Sequence, residues 1–353
     1  MVAILTEANY ISTGCKLRLE SLINALRKKR IPFCEIFDTC PRDVDGIFVL
    51  SADVEWTIHT IKQLNQNGFT PILISDQIEN LPGCIYNGVN SDLSASMKNL
   101  LEMLKSHNKK CPALYAFNPN SISDNSKETT LQSAASNLFD KIDVFANNGN
   151  LEECYNNFIN SEKCYDSVIC ANDFAAITLV KFLEEQHPQK LKELTIISCS
   201  NSAISEYYKD KILATNTNHE QYGRAAVYIY EALKKHEYVS SMTIRIVWDF
   251  EIKKKETTTT NQKLDFVHSA DTFYDDIAVR DLLVVDKFLN TSDTTDRTII
   301  KMLIRNEPLE AIASECFLSI NAVKYRIKRL ISASGASDKN HLLETITKYA
   351  AGF

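Results

Sequence analysis

From residue 2 to about residue 250, short apolar runs alternate with stretches of helical period. Val2 to Thr6 reads as a strand. Residues 14–30 read as a helix carrying Leu17, Leu19, Leu22, Ile23 and Leu26. Strands follow at Pro32 to Phe37, Gly46 to Leu50 and Pro71 to Ser75, with a helix at 54–67 between the last two. A helix at 91–106 leads to a strand from Ala113 to Phe117. The alternation resumes with a strand at 166–170, a helix at 173–186, a strand at 194–198 and a helix at 219–236. Strands that are apolar throughout and separated by helices predict parallel sheet covered on both faces. An α/β stretch of this length is often two doubly wound halves.

The pattern then changes. Residues 253–263 contain no apolar residue and read as a linker or a mobile strand end. Residues 274–289 look helical, and from about 293 the chain is all helix. Residues 308–316 make a short helix with Pro308 near its first turn, where a missing N–H costs nothing. Phe317 and Leu318 form a tight apolar turn, and Ser319 is placed to cap the next helix. That helix runs from Ile320 to Ser334, with Gly335 as its C-terminal stop. Val323, Ile327, Leu330 and Ile331 share one face, while Asn321, Lys324, Tyr325 and Lys328 lie on others. Two short helices joined by such a turn form a helix-turn-helix.

Charge sharpens this picture. The 353 residues carry a formal net charge of −6, so the chain as a whole is no basic nucleic-acid coat. Yet between Cys316 and Ser337 there are four basic residues (Lys324, Arg326, Lys328, Arg329) and no acidic one. A local basic stripe is what contact with phosphates requires. A solvated amphipathic helix with an incidental charge run is the alternative.

At 44% hydrophobic and 24% charged, the chain can bury a core and is not disordered. The ten cysteines are scattered with no C-x-x-C pair, the opening residues lack a leader pattern, and no apolar run approaches the ~18 residues of a membrane span. The expectation is a cytoplasmic protein without membrane partners, its thiols reduced and several of them acting as small core hydrophobes. G-x-G-x-x-G, G-x-x-x-x-G-K-[ST], G-x-S-x-G and H-E-x-x-H are all missing. His59, His107 and His187 are isolated. No metal site, no cofactor and no enzymatic activity are expected.

Two resemblances follow from specific residues. The stretch Ile312-Ala313-Ser314-Glu315-Cys316-Phe317-Leu318-Ser319-Ile320-Asn321-Ala322-Val323-Lys324-Tyr325-Arg326-Ile327 resembles the LuxR-type helix-turn-helix, whose pattern is I-A-x-x-L-F-L-S-x-x-T-V-K-x-H-V. Ala322 stands for its usual Thr and Arg326 for its usual His. Asp296-Arg297-Thr298 replaces its acidic residues near the start, and its turn Gly is lost in Asn306-Glu307. The resemblance implies double-stranded DNA as partner, with Ser319, Asn321, Lys324, Tyr325, Arg326, Lys328 and Arg329 at the contact. Arg326 is expected to add charge there.

Four stretches in family order resemble the sensor domain of the lactose-repressor family, which has the type 1 periplasmic-binding-protein fold. They are Val44 to Leu50, Tyr165 to Ala176 with its Ala171-Asn172-Asp173 turn, Gly223-Arg224-Ala225-Ala226, and Lys255-Glu256-Thr257. Asn172 and Asp173 lie where a strand ends and a helix begins, the place where open α/β sheets bind ligands. They either fix a small polar ligand there or merely cap the helix. The resemblance adds Asn9 and Tyr10 after the first strand. It also places Lys127 where the family has a ligand-binding Arg, Thr130 where it has Gly, and Ser200 where it has a sugar-binding Asp. These changes turn the expectation from a simple sugar toward a modified, anionic or non-sugar ligand, or a protein partner. The family's N-terminal DNA-binding headpiece is not expected here, since Val2 reads as the start of the first strand.

The expected architecture is therefore a two-lobed, doubly wound parallel-sheet sensor domain over residues 1–258, periplasmic-binding-protein-like and able to fold by itself. A linker and connecting helix over 259–290 and a small all-α helix-turn-helix domain over 291–353 follow. The expected function is a ligand-responsive transcriptional regulator acting as a homodimer on paired half-sites. Its lobes would close on ligand, and the helix at 274–289 would pass the change to the reader. The rival is a sensor or interaction module that binds no DNA and uses its C-terminal helices for assembly.

Overall fold

The computed structural model describes residues 1–7, 13–37, 43–51, 53–75, 81–119, 121–215, 219–235, 241–248, 250 and 276–350. The elements run β1 (Val2–Thr6), α1 (Thr13–Lys28), β2 (Phe33–Phe37), β3 (Gly46–Leu50), α2 (Val54–Gln66), β4 (Ile72–Ser75), β5 (Asn87–Ser91), α3 (Leu93–Ser106), β6 (Pro112–Phe117), α4 (Ile122–Ala135), β7 (Asp143–Ala146) and α5 (Leu151–Ile159). They continue with β8 (Ser167–Cys170), α6 (Asp173–Gln186), α7 (Pro188–Glu193), β9 (Thr195–Ser198), a 3₁₀ turn (Ala203–Tyr208), β10 (Ile212–Ala214), α8 (Glu220–Lys235) and β11 (Thr243–Ile246). Five helices close the chain: α9 (Ile277–Thr291), α10 (Thr294–Ile304), α11 (Leu309–Glu315), α12 (Ile320–Ser334) and α13 (Lys339–Tyr349).

The strands form two sheets, ordered β11-β5-β4-β3-β1-β2 and β10-β9-β8-β6-β7, in which every pairing is parallel. The apolar strands explain this: all five residues of β1 and all four of β4 and β8 are buried, so both faces must be covered. The expected two-lobed α/β fold followed by an all-helical segment is what the chain adopts. It divides into two compact units, the boundary falling after Leu100 in α3.

The first unit holds the first sheet with α1, α2 and α8. In the Gly223-Arg224-Ala225-Ala226 stretch, Gly223 lets α8 touch α1. A Cβ there would lie 2.3 Å from the Ser21 carbonyl carbon, and the Gly223 N–H donates to Ser21 Oγ at 3.0 Å. Close approach of two helix backbones needs glycine.

The second unit holds the second sheet, α4 to α7 and α9 to α13. One apolar core runs from Tyr155, Ala176 and Val180 through Leu282, Val285 and Phe288 of α9 to Ile327, Leu330 and Ile346 of the terminal helices. Three polar ties join the same parts. Asp276 accepts from Ala278 N at 2.8 Å, capping α9, and from Leu151 N at 2.9 Å, capping α5 as well. The Asp286 carboxylate accepts from Ile204 N at 3.1 Å, and Tyr208 Oη donates to the Tyr349 carbonyl at 3.0 Å. The helix expected as a bare connector is thus the central helix of the C-terminal bundle, with its inner face on the sheet-bearing part. Each such buried apolar side chain stabilises by roughly 1.5–3 kcal/mol.

Several elements escape the sequence pattern: β5, β7, β10 and β11, and the helices α4, α5 and α7. Strand β5 (Asn-Gly-Val-Asn-Ser) is wholly buried although four of its five residues are polar or Gly. Its backbone is satisfied by β4 and β11 on either side, and Asn87 Oδ1 accepts from Met242 N at 2.8 Å. Lys255-Glu256-Thr257, the stretch 259–275, Asn9 and Tyr10 lie outside the described residues.

Nine cysteines among the described residues are free. Burial pushes the Cys154 and Cys199 thiols up to about 12, the mark of inert core thiols. Among the described residues no helix is long and apolar enough to cross a membrane, and no group of His, Cys, Asp and Glu could hold a metal ion.

Candidate ligand site and nucleic-acid interface

In the second sheet β6 is the first strand, with β7 on one side and β8 on the other. The chain order reverses there, so the carboxyl ends of β6 and β8 are the topological switch point where such sheets bind ligands. Ala116, at φ 59°, makes a bulge in the register of β6 just before that end. Asn172 follows β8 and is the N-cap of α6, its Oδ1 accepting from Ala175 N at 3.1 Å. Among the described residues its Nδ2 makes no hydrogen bond.

Asp173 is no cap, which revises one of the two sequence readings. It is the first residue of α6, is buried, and its carboxylate turns back into the protein. Oδ1 accepts from Ser198 Oγ at 2.6 Å, and Oδ2 accepts from the Ser202 N–H. The Asp173 N–H donates to Ser200 Oγ at 2.9 Å, and Ser200 N donates to Ser198 Oγ at 3.1 Å. Lys127 of α4 is buried beside them. Its Nζ is 3.2 Å from Asp124 Oδ1 and donates to the Ala171 carbonyl at 3.2 Å. Asp124 Oδ2 in turn accepts from Asn118 N, just past β6, at 3.1 Å.

Lys127, Asn172, Asp173 and Ser200, separated by up to 73 positions, therefore meet at the ends of β6, β8 and β9. Sequence reasoning missed four members of the cluster: Asn118, Asp124, Ser198 and Ser202. The i,i+3 spacing of Asp124 and Lys127 on a helix was the available signal for one of them. It also missed Asn147, past β7, whose N–H donates to the Phe117 carbonyl at 2.9 Å. Among the described residues of this half, two buried polar atoms have no hydrogen-bond partner: Asn147 Nδ2 and Ser202 Oγ. Unmet polar atoms are costly and mark unused binding capacity.

The second candidate surface is α12. Ser319 Oγ accepts from Ala322 N at 3.2 Å as its N-cap, and Gly335 ends it at φ 76°. Val323, Ile327 and Leu330 are buried and Ile331 packs half-buried beside them. Asn321, Lys324, Tyr325 and Lys328 point to solvent, with Tyr325 71% exposed. Among the described residues, neither Lys324 nor Lys328 forms an ion pair. Phe317, at φ 54° in the turn between α11 and α12, is 96% exposed.

The other two arginines behave differently. Arg326 Nη1 reaches Asp293 Oδ2 and Asp296 Oδ1, each at 2.8 Å, and Arg329 Nη2 pairs with Asp296 Oδ2. Asp296 is fully buried. It also completes a capping box with Asp293 at the start of α10: Asp293 Oδ1 accepts from Asp296 N at 2.7 Å, and Asp296 Oδ2 accepts from Asp293 N at 3.1 Å. Burial alone would raise the Asp293 carboxyl, but the hydrogen bonds from Arg326 and the Asp296 N–H hold it below its ordinary value. The expectation that Arg326 adds charge to the outward face is not met, because its guanidinium fastens α12 to α10 and is 26% exposed. Arg329, 41% exposed, is divided between Asp296 and solvent.

No family model and no curated protein matches this sequence. Solved structures do. A LacI family transcriptional regulator from Enterococcus faecium with bound ribose is 18% identical, covering 70% of this chain and 96% of that one, with a TM-score of 0.54. A periplasmic solute-binding protein of an ABC transporter from Actinobacillus succinogenes 130z with bound D-allose is 16% identical over 70% of this chain and 96% of its own, with a TM-score of 0.54. The Lac repressor bound to ONPG in the repressed state is 11% identical over 70% of this chain and 80% of that one, with a TM-score of 0.55. The chain thus has the fold that periplasmic solute-binding proteins share with LacI family regulators.

Proposed function

We propose that this chain is a ligand-responsive transcriptional regulator that reads double-stranded DNA with α12 of a C-terminal, LuxR-type helix-turn-helix. The observation that carries the reading is the state of α12: capped at both ends, buried along one stripe, and presenting Asn321, Lys324, Tyr325 and Lys328 outward. Lysines there neutralise phosphates, and Asn321 and Tyr325 reach base edges or sugar. Ser319, at the helix N-terminus, adds a phosphate contact. Arg326 and Arg329 position the helix. A homodimer would place two such helices one DNA turn apart.

In this reading the ligand binds at the carboxyl ends of the second sheet, against Asn172, Lys127 and Ser200. It is small and polar. The solved relatives hold ribose and D-allose, so sugars head the screen. Lys127 already carries a carboxylate partner, which argues against it as the sole anion anchor. Function follows from ligand-dependent DNA binding, with no cofactor.

The test is selection of bound fragments from genomic DNA of the source organism with the full-length chain. The account predicts enrichment of a two-fold symmetric site, lost in a Lys324→Ala, Lys328→Ala double variant. Recovery of no enriched sequence, with the protein shown to be folded, would refute it.

A further inference from the structure

The segment after β9 is held from two sides by carboxylates that belong to different parts of the second unit. Asp173, at the start of α6 in the strand-end cluster, accepts the Ser202 N–H. Asp286, on α9 of the C-terminal bundle, accepts the Ile204 N–H at 3.1 Å. Both carboxylates are buried. Ser198 and Ser200, which bond to Asp173, sit at the other end of the same segment. Two backbone amides two residues apart, those of Ser202 and Ile204, are therefore shared between the candidate ligand site and the helix on which α12 packs. The Ser202 hydroxyl between them is buried and, among the described residues, makes no hydrogen bond, so the turn leaves bonding capacity unused.

Resting on the regulator reading above, we propose that the turn Ser200–Ile204 is the coupling element between the strand-end site and the DNA-reading helices. A ligand that draws on Ser200, or displaces Asp173 from the Ser202 N–H, alters the turn that Asp286 holds. The turn's amides are the first residues of the 3₁₀ segment packed on α9, and α9 in turn packs on α12 and α13 through Leu282, Val285 and Phe288. A two-state element biased by both sites is what coupling requires. In this geometry Asp286 is a positioning residue, touching neither ligand nor DNA.

The experiment is hydrogen–deuterium exchange on the full-length chain, with neither ligand nor DNA added. Asp173→Asn is expected to speed exchange about five- to tenfold, the size of one lost hydrogen bond, both at 202–204 and along α9. Asp286→Asn should speed exchange reciprocally at 171–175 and 198–204. Should Asp173→Asn fail to fold, Ser198→Ala removes one donor to the same carboxylate and serves in its place. Asp143→Asn is the control: it breaks the pair with Lys163 at the start of β7, at the other end of the strands, and should leave α9 as in the wild type. Exchange that changes only within 171–204, or an α9 loosened equally by Asp143→Asn, would overturn the proposal. Failure of α12 to bind DNA would refute the regulator reading and leave this coupling standing.

Discussion

The strand-end cluster of the second sheet and the outward face of α12 are made of similar residues, Asn, Lys and Ser, turned in opposite directions. At the strand ends Asp173, Ser198, Ser200, Asp124 and Lys127 bond to one another and to backbone, leaving Asn172 Nδ2 and two buried atoms uncommitted. On α12 the lysines stand free of ion pairs among the described residues, while Arg326 turns inward to Asp293 and Asp296 and Arg329 is shared between Asp296 and solvent. A cluster that satisfies itself is preorganised, and on the proposed reading a ligand there exchanges with internal hydrogen bonds. A face that leaves cations in water is ready for a polyanion, whose release of counterions drives association.

The sharpest way to break this contrast is at Asp296. It is the buried anion that both arginines share, so Asp296→Ala takes the partner of Arg329, leaves Arg326 with Asp293 alone and removes half of the α10 capping box. The arginines left behind are 26% and 41% exposed and can turn to solvent, so the cost is that of the cap and the charged hydrogen bonds, about 1–3 kcal/mol, read as a lowered midpoint in urea. A loss below about 1 kcal/mol would show that the arginines are not held as described.

A second effect depends on pH. Burial pushes the Asp286 carboxyl up from 3.8 to about 6, against the pull of the Ala203 and Ile204 N–H groups and Asn290, with the Asp173 charge adding to the rise. Between those values the folded chain keeps a proton that the unfolded chain has released. The contribution of this one group to stability is therefore full below about pH 4 and is lost, by about 3 kcal/mol, as pH rises to 6. Asp286→Asn should flatten that segment of the stability–pH curve. An unchanged slope would place the titration elsewhere.

Third, Asp173→Asn separates a structural carboxylate from a ligand-binding one. It replaces an acceptor of two hydrogen bonds at a buried position, so a loss of about 1–3 kcal/mol in stability is expected before any ligand is added. Asn172→Ala should cost about 1 kcal/mol as a lost cap and, in addition, abolish the thermal shift produced by whichever sugar or polar metabolite stabilises the wild type. Equal stability of Asp173→Asn and wild type would return Asp173 to the ligand.

These particulars show what the sequence could carry. Helix α6 was legible to the residue because the apolar run Val168-Ile169-Cys170-Ala171 leads into Asn-Asp and then into a helical period. Helix α12 was legible because Ser319 and Gly335 are strong end signals. Residues 118–165 were not, since β7 is half-exposed and α4 is polar on most faces, with no sharp stop between them. Strand β5 was hidden by its asparagines, which only a neighbouring strand makes tolerable. The cluster's chemistry was visible at Asn172, Asp173, Lys127 and Ser200, but who bonds to whom depends on β6, β8 and β9 lying side by side. The same holds for Arg326: its spacing fits an outward cation, and only the tertiary position of Asp296, 30 residues earlier, turns it inward.

The most direct test of the central claim is the salt dependence of duplex DNA binding by the full-length chain, compared with Lys324→Ala and Lys328→Ala. Both side chains are exposed, so the folded state should be untouched. If they contact phosphates, each substitution weakens binding and lowers the slope of log K against log salt concentration by about one unit. Affinity and slope equal to wild type in both variants would contradict α12 as the DNA-reading helix.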